Sequence, residues 1–375
     1  MNRRHFLQTA AALPLAGLSA RAEPPAAPAL IERAYAPRNL EMNFAGLNGT
    51  LTPTSSFYVR NHFAQPKLDP KTWRLKVEGA VERPFELSLG EARLLGTVTV
   101  PLTLECAGNS RVFLTPPARG VNWQFGAVGN AEWNGFPLSA LLYLAGVKKT
   151  ATEVILEGAD TGTVAEPPSP GPIAFARSIP LAKANRPETF LAWGMNGKDL
   201  TPAHGGPLRA VVGGWYGMAS VKWLTRIIVT EEPFQGFFQS LDYTYFERTH
   251  GLPTLTPITA MQVKSLIARP ALGDTLMAGK LVKITGAAWA GEADVAKVEV
   301  STDAGKTWNA ATLLGKSVPF CWRLWEFEWK SPAAGKAVLM ARATDSKGRT
   351  QPMERDPDRR TYMISHVLPV DVDVR

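Results

Sequence analysis

Cys106 is the residue on which chemistry would turn. It stands in Leu102-Thr103-Leu104-Glu105-Cys106-Ala107-Gly108-Asn109-Ser110-Arg111, where a β-rich run reaches a small-residue turn and an arginine follows the thiol by five positions. A permanent cation beside a strand-end thiol favours the thiolate, the form that ligates metals and attacks electrophiles. An isolated cysteine is more often a buried, inert side chain. That is the expectation for Cys321, between Phe320 and Trp322 on a strand. As a nucleophile, Cys106 would need a base, and His62 or His204 could serve in a cysteine hydrolase.

The elements that must hold such a residue are mostly strands. Trp73 to Gly79 alternates apolar and charged positions, as a half-buried strand does, and Ser88-Leu89-Gly90-Glu91 fits a capping box opening a short helix through Leu95. Val98 to Glu105 and Glu153 to Glu157 read as strands, and Leu138 to Leu144 as a helix ended by Gly146. The proline-rich stretch from Glu166 to Pro172 reads as a loop. Leu208 to Val212 and Val221 to Thr230 read as strands around a glycine-rich turn. Residues 23–39 read as an extended arm, with structure beginning near Phe44. After Pro257 short strands alternate with turns. In Val295 to Ser301, the alternation puts Ala296, Val298 and Val300 on one face before the turn Asp303-Ala304-Gly305-Lys306. About seven such segments describe an immunoglobulin-like β-sandwich. The fold class is α+β, with a mixed domain over 23–256 and an all-β domain over 257–375.

Composition removes several alternatives. The 375 residues include 32 glycines and 30 prolines without a Gly-X-Y period, 45% apolar residues and 20% charged ones. Collagen and wholesale disorder are excluded. Two cysteines supply neither a disulfide framework nor an iron–sulfur site, and no C-x-x-C-H haem-attachment motif occurs. No unbroken apolar run is long enough for a membrane span, so no membrane insertion is expected. The formal charge of +8 is not gathered into basic runs interleaved with aromatics, so no nucleic-acid partner is expected. Residues 1–22 have an arginine pair, Arg3-Arg4, before an apolar stretch and an Ala20-Arg21-Ala22 cleavage site, the pattern of a twin-arginine export signal. Its removal leaves 38 basic against 33 acidic residues, a charge of +5, on a chain addressed to the periplasm already folded.

Four motifs in register resemble the sulfite oxidase family of molybdenum enzymes. They are Phe57-Tyr58-Val59-Arg60-Asn61-His62, Cys106-Ala107-Gly108-Asn109-Ser110-Arg111, His204-Gly205-Gly206-Pro207-Leu208-Arg209 and Gly214-Trp215-Tyr216-Gly217-Met218-Ala219-Ser220-Val221-Lys222-Trp223-Leu224. The resemblance runs over essentially the whole chain after residue 22. It implies a molybdopterin-binding domain followed by a dimerisation domain, with molybdenum–molybdopterin as cofactor and a homodimer as the assembly. It implies that Cys106 ligates the metal, a soft donor suited to a redox metal. It further implies that Tyr58, Val59, Arg60, Asn61, His62, Asp160, His204, Arg209, Ser220, Val221 and Lys222 bind the cofactor.

The family's substrate is sulfite, a small oxyanion for which arginine forks are suited donors. The resemblance gives Arg60 and Arg111 to the anion pocket, with Tyr243 as the active-site tyrosine, Trp123 as an aromatic wall, and Arg360, or its neighbour Arg359, as the arginine from the C-terminal domain. The implied reaction is oxidation of sulfite to sulfate, with electrons passed to a separate cytochrome c or similar carrier. Alternatives within molybdenum chemistry are a reductase of methionine sulfoxide or another S-oxide, and a sulfane-sulfur dehydrogenase subunit. Outside it stand the cysteine hydrolase and a non-catalytic binding module.

Overall fold

The computed structural model describes residues 29–375; the twin-arginine expectation on residues 1–22 lies outside them. Where the sequence reads as an extended arm, Ile31–Ala34 and Asn39–Glu41 form an antiparallel hairpin, and its second strand is fully buried. The sequence disguised this because the strands are only four and three residues long and the second flanks Leu40 with polar Asn39 and Glu41. Asn39 and Glu41 are buried because they bond inward: Asn39 Oδ1 accepts from the Asn61 amide at 2.8 Å, and Glu41 accepts from the Gly126 amide at 2.6 Å.

Two five-stranded sheets make up the first domain. In one, Val98–Glu105 forms an edge antiparallel to Val128–Pro137, with Glu105 opposite Val128. Only its last four residues are buried on both faces, so the strand runs from the surface inward and delivers Cys106 to the interior. In the other, Leu224–Thr230 lies parallel to Arg74–Gly79 and antiparallel to Glu153–Gly162. Glu153–Gly162 is longer than its sequence pattern predicts. Its register against Ile173–Pro180 breaks between Glu157 and Thr161, which is where Asp160 sits. Ser88 and Glu91 form both bonds of the capping box, but the helix stops at Ala92. The longer helix Leu138–Ala145 ends on Gly146 in the left-handed region.

Nine strands in two sheets, among the described residues, make up the second domain. One sheet orders Lys264–Arg269, Leu281–Trp289, Arg323–Lys330 and Thr312–Leu313; the other is centred on Gly335–Asp345. In Val295–Ser301 the simple alternation fails at its start. A bulge between Val295 and Lys297 turns Val295 inward and leaves Ala296 exposed. Cys321 is not on a strand; it precedes Arg323–Lys330, and its Sγ donates to the Pro101 carbonyl of the first domain at 3.1 Å. Burial pushes its thiol up to about 11. The main apolar core is continuous across the two domains, joining Trp215, Tyr216 and Ile258 to Trp289 and Leu339.

Candidate molybdopterin and anion site

A second, smaller core surrounds Cys106 and contains Phe57, Tyr58, Leu104, Trp133 and Phe190. On its open side lies a cavity walled by side chains from seven separate stretches of sequence. Cys106, 7% exposed, reaches it from the strand end. The turn beyond is held by the Cys106 amide on the Ala127 carbonyl at 2.8 Å and the Asn109 amide on the Cys106 carbonyl at 2.9 Å.

Three cations share this wall. Arg209 is buried and has only carbonyl partners, His204 O at 3.0 Å and Ser220 O at 2.8 Å among them, and burial brings its guanidinium down to about 10. Lys222 donates to Asn61 Oδ1 and, at 3.0 Å, to Ala203 O; burial, then Arg209, holds it well below the ordinary lysine value. Arg60 donates to the Asn61 carbonyl and Asn39 Oδ1. Asp160 is the single carboxylate among the lining residues, and burial raises it to about 6 against the pull of Lys222 and Arg60. One buried cation, Arg209, and two half-buried ones, Arg60 and Lys222, face one reluctant carboxylate and leave an excess of positive charge that an anion would compensate.

Two glycines permit this crowding. Gly205 sits at φ +98°, and a Cβ there would meet the Lys222 side chain at 2.9 Å; a Cβ on Gly217 would meet Tyr58 Oη at 2.7 Å. His204 caps the cradle by bonding to Thr54 O at 3.1 Å, and burial drops its imidazole to about 4. On the far wall, His62 Nε2 and Tyr243 Oη lie 2.6 Å apart. Burial, then Arg60, Lys222 and Arg177, keeps His62 neutral, while burial raises the Tyr243 phenol.

Tyr58, Val59, Arg60, His62, Cys106, Asp160, His204, Arg209, Ser220, Val221, Lys222 and Tyr243 thus meet around one space. Four expected residues stand elsewhere. Asn61 is behind the wall, bonding Lys222 and the Asn39 side chain rather than facing the cavity. Trp123 is not a wall: it is wholly buried in the apolar cluster behind Cys106, and its Nε1 has no partner. Arg111 does not line the cavity; its guanidinium packs 4.9 Å over Tyr362 and donates to Thr361 O and Val121 O. Arg360 is exposed and holds Leu241 O and Thr244 from outside, while Arg359 lies over Tyr245. Spacing along the chain could not show that these arginines spend their donors on carbonyls.

Sequence reasoning missed Arg177, Glu105, Lys264 and Tyr362. Arg177 is fully buried beside Tyr243, bonding Phe238 O and, at 2.9 Å, Ile258 O. The available signal was a charged residue inside an apolar strand run, as in Ala174-Phe175-Ala176-Arg177 and Val263-Lys264-Ser265-Leu266.

Among the described residues, no group of three or more His, Cys, Asp or Glu could hold a metal ion. A metal here would take Cys106 from the protein and its other ligands from a cofactor. The donor set fits a pterin of that kind: one soft sulfur, and cations gathered where a phosphate would lie.

Comparison with known proteins agrees with this geometry. Residues 62–238 match the oxidoreductase molybdopterin binding domain, and residues 256–364 match the Mo-co oxidoreductase dimerisation domain. The sulfite oxidase of Gallus gallus is 34% identical over 349 residues, covering 88% of this chain and 74% of its own. The mitochondrial sulfite oxidase of Homo sapiens is 36% identical over 320 residues, covering 80% of this chain and 57% of its own. The crystal structure of the sulfane dehydrogenase SoxCD from Paracoccus pantotrophus superposes with a TM-score of 0.78 at 25% identity, over 94% of this chain and 92% of that one. With both domains matched in order and a lone thiol set among unpaired cations, the chain belongs to the sulfite oxidase family of molybdopterin oxidoreductases.

Proposed function

We propose that this chain is a sulfite dehydrogenase, exported folded to the periplasm, that oxidises sulfite to sulfate as a homodimer and passes electrons to a separate cytochrome c-type acceptor. One observation carries the reading: a Cys106 thiol on the wall of a cavity lined by three cations, Arg60, Arg209 and Lys222, and a single carboxylate. Arg209 and Lys222 would hold the phosphate of the pterin and Cys106 its metal; when bound, the group supplies oxygen-atom transfer and the two-electron change.

The chain's own residues supply placement and charge. Arg60 faces the cavity as a permanent cation and draws in an oxyanion while its charge offsets that of the substrate. Arg111 and Arg177 add positive potential from behind Tyr243. His62 and Tyr243 keep a proton between Nε2 and Oη at the cavity wall, since neither group ionises near neutral pH. The apolar cluster around Phe57 and Leu104 excludes water from behind the thiol.

The test is steady-state reduction of cytochrome c or ferricyanide by the molybdenum-loaded protein on addition of sulfite. Cys106→Ser is expected to lower kcat by at least about a thousandfold. No sulfite-dependent reduction at full molybdenum occupancy refutes the proposal. The structural likeness to a sulfane dehydrogenase favours one second reading, a sulfane-type sulfur substrate. Presenting both substrates to the same protein decides between them, since kcat/KM measures the preference.

A further inference from the structure

The strand end that carries Cys106 is held from behind by the second domain. The Glu105 carboxylate, 1% exposed, accepts from Lys264 Nζ at 2.9 Å and Asn109 Nδ2 at 3.1 Å on one oxygen, and from Trp289 Nε1 at 2.8 Å on the other. Lys264, also 1% exposed, donates further to Ser110 Oγ at 3.1 Å and Asn109 O at 3.4 Å. Asn109 continues the circuit: its Oδ1 accepts from the Ala127 amide at 3.1 Å, and the Ala127 carbonyl accepts the Cys106 amide at 2.8 Å. Residues 105, 109 and 110 therefore all bond one ammonium, and 127 joins them through Asn109. Lys264 lies on Lys264–Arg269 and Trp289 ends Leu281–Trp289, paired directly opposite each other in the second domain.

A buried ion pair is a poor choice for stability alone, because apolar residues of similar volume would serve as well or better. What it supplies is direction: charged, hydrogen-bonded groups accept few geometries, and here they define the turn that begins at the thiol. We propose that Lys264 is a positioning residue for Cys106, an ammonium lent by the second domain that fixes the 105–110 turn and so aims Sγ into the cavity. The inference rests on the reading of Cys106 as the metal ligand. Its mechanical part concerns the thiol itself and holds in metal-free protein.

The experiment compares wild type, Lys264→Met, Lys264→Arg and the double variant Glu105→Gln/Lys264→Met, all in a Cys321→Ala background. Two quantities are read: the rate of Cys106 alkylation by iodoacetamide in metal-free protein, and the Mo(V) paramagnetic resonance spectrum of loaded protein. Circular dichroism reports the fold. Lys264→Met and the double variant are expected to keep the native dichroism, change the alkylation rate by about fivefold or more, and shift the Mo(V) signal, with Lys264→Arg recovering part of each. The double variant leaves no charge unpaired and keeps the test valid if the single one unfolds. Wild-type alkylation and an unshifted spectrum in a folded double variant overturn the proposal. Loss of native dichroism in both variants overturns it too, because Lys264 would then serve the fold and not the site. A wild-type protein that takes up no molybdenum, with altered alkylation in the variants, leaves the positioning role standing and removes the metal.

Discussion

At the scale of single residues, the site works by burying groups whose charge is then unsupported. His204 shows this most simply. Its imidazole is 5% exposed and held to about 4, with burial the leading cause and Lys222 and Arg209 adding to it. Protonation therefore favours the unfolded chain. The stability is intact above pH 6.5, falls as pH drops from 6.5 towards 4, and levels off below, where both states carry the proton. At 1.36 kcal/mol per pKa unit, the loss attributable to His204 is about 3 kcal/mol. Thermal melting of metal-free protein across this range is expected to show a steeper acid decline in wild type than in His204→Gln; equal slopes would remove His204 as the cause. Asp160 acts in the opposite sense. Raised to about 6, it takes up its proton more readily folded than unfolded, so its contribution weakens as pH rises from about 4 to about 6.

At the scale of elements, the site depends on how strands end. Val98–Glu105 delivers the thiol, a register break in Glu153–Gly162 turns out Asp160, and the 238–243 segment presents Tyr243 before the hairpin Thr244–Thr249 and Leu252–Pro257 begins. Arg177 holds its start through Phe238 O, and the second domain holds its end. Arg360 clamps it from outside through Leu241 O and Thr244, and Tyr362 Oη donates to Asp242 Oδ1 at 2.6 Å. The C-terminal arginine thus meets the site by holding the loop that carries Tyr243. Arg360→Ala is expected to reduce kcat by about tenfold to a hundredfold through misplacement of that phenol. Because Arg360 is exposed, the thermal midpoint should move by no more than a few degrees. An unchanged kcat would show that the segment holds its place without the clamp.

At the scale of the molecule, the two domains are joined by buried charge as well as by a shared apolar core. Besides Glu105 and Lys264, the buried Lys183 bonds buried Glu188 at 2.9 Å, the Gly213 carbonyl at 2.9 Å and, across the domain boundary, the exposed Glu292 at 2.7 Å. Trp215 Nε1 donates to the same Glu292 oxygen at 3.0 Å. Removing one partner strands the rest, so Lys183→Met is expected to cost about 3 kcal/mol in denaturant unfolding. A double variant that also neutralises Glu188 should recover part of it, and a loss below about 0.5 kcal/mol would place this cluster among ordinary surface pairs. The second domain also matches a dimerisation family, and sedimentation of the purified protein as a dimer at micromolar concentration is the expected result.

Much of this molecule was legible in its sequence, for a local reason. Alternation predicts Arg74–Gly79, a β-rich run predicts Val98–Glu105, a capping box predicts the start of Leu89–Ala92, and Gly146 predicts the end of Leu138–Ala145, because each is settled by neighbours a few positions apart. The four motifs nominated residues expected to bind the cofactor, and most of them meet at the cavity. What the chain could not disclose was where long side chains spend their hydrogen bonds. Arg111, Arg360 and Trp123 sit in or near the right motifs yet face Tyr362, Thr244 and an apolar cluster. Glu105 and Lys264, 159 positions apart, meet behind the thiol with no pattern to announce them. Secondary structure follows from short-range sterics and periodicity, whereas the partners of a buried charge are chosen only when distant strands close over it.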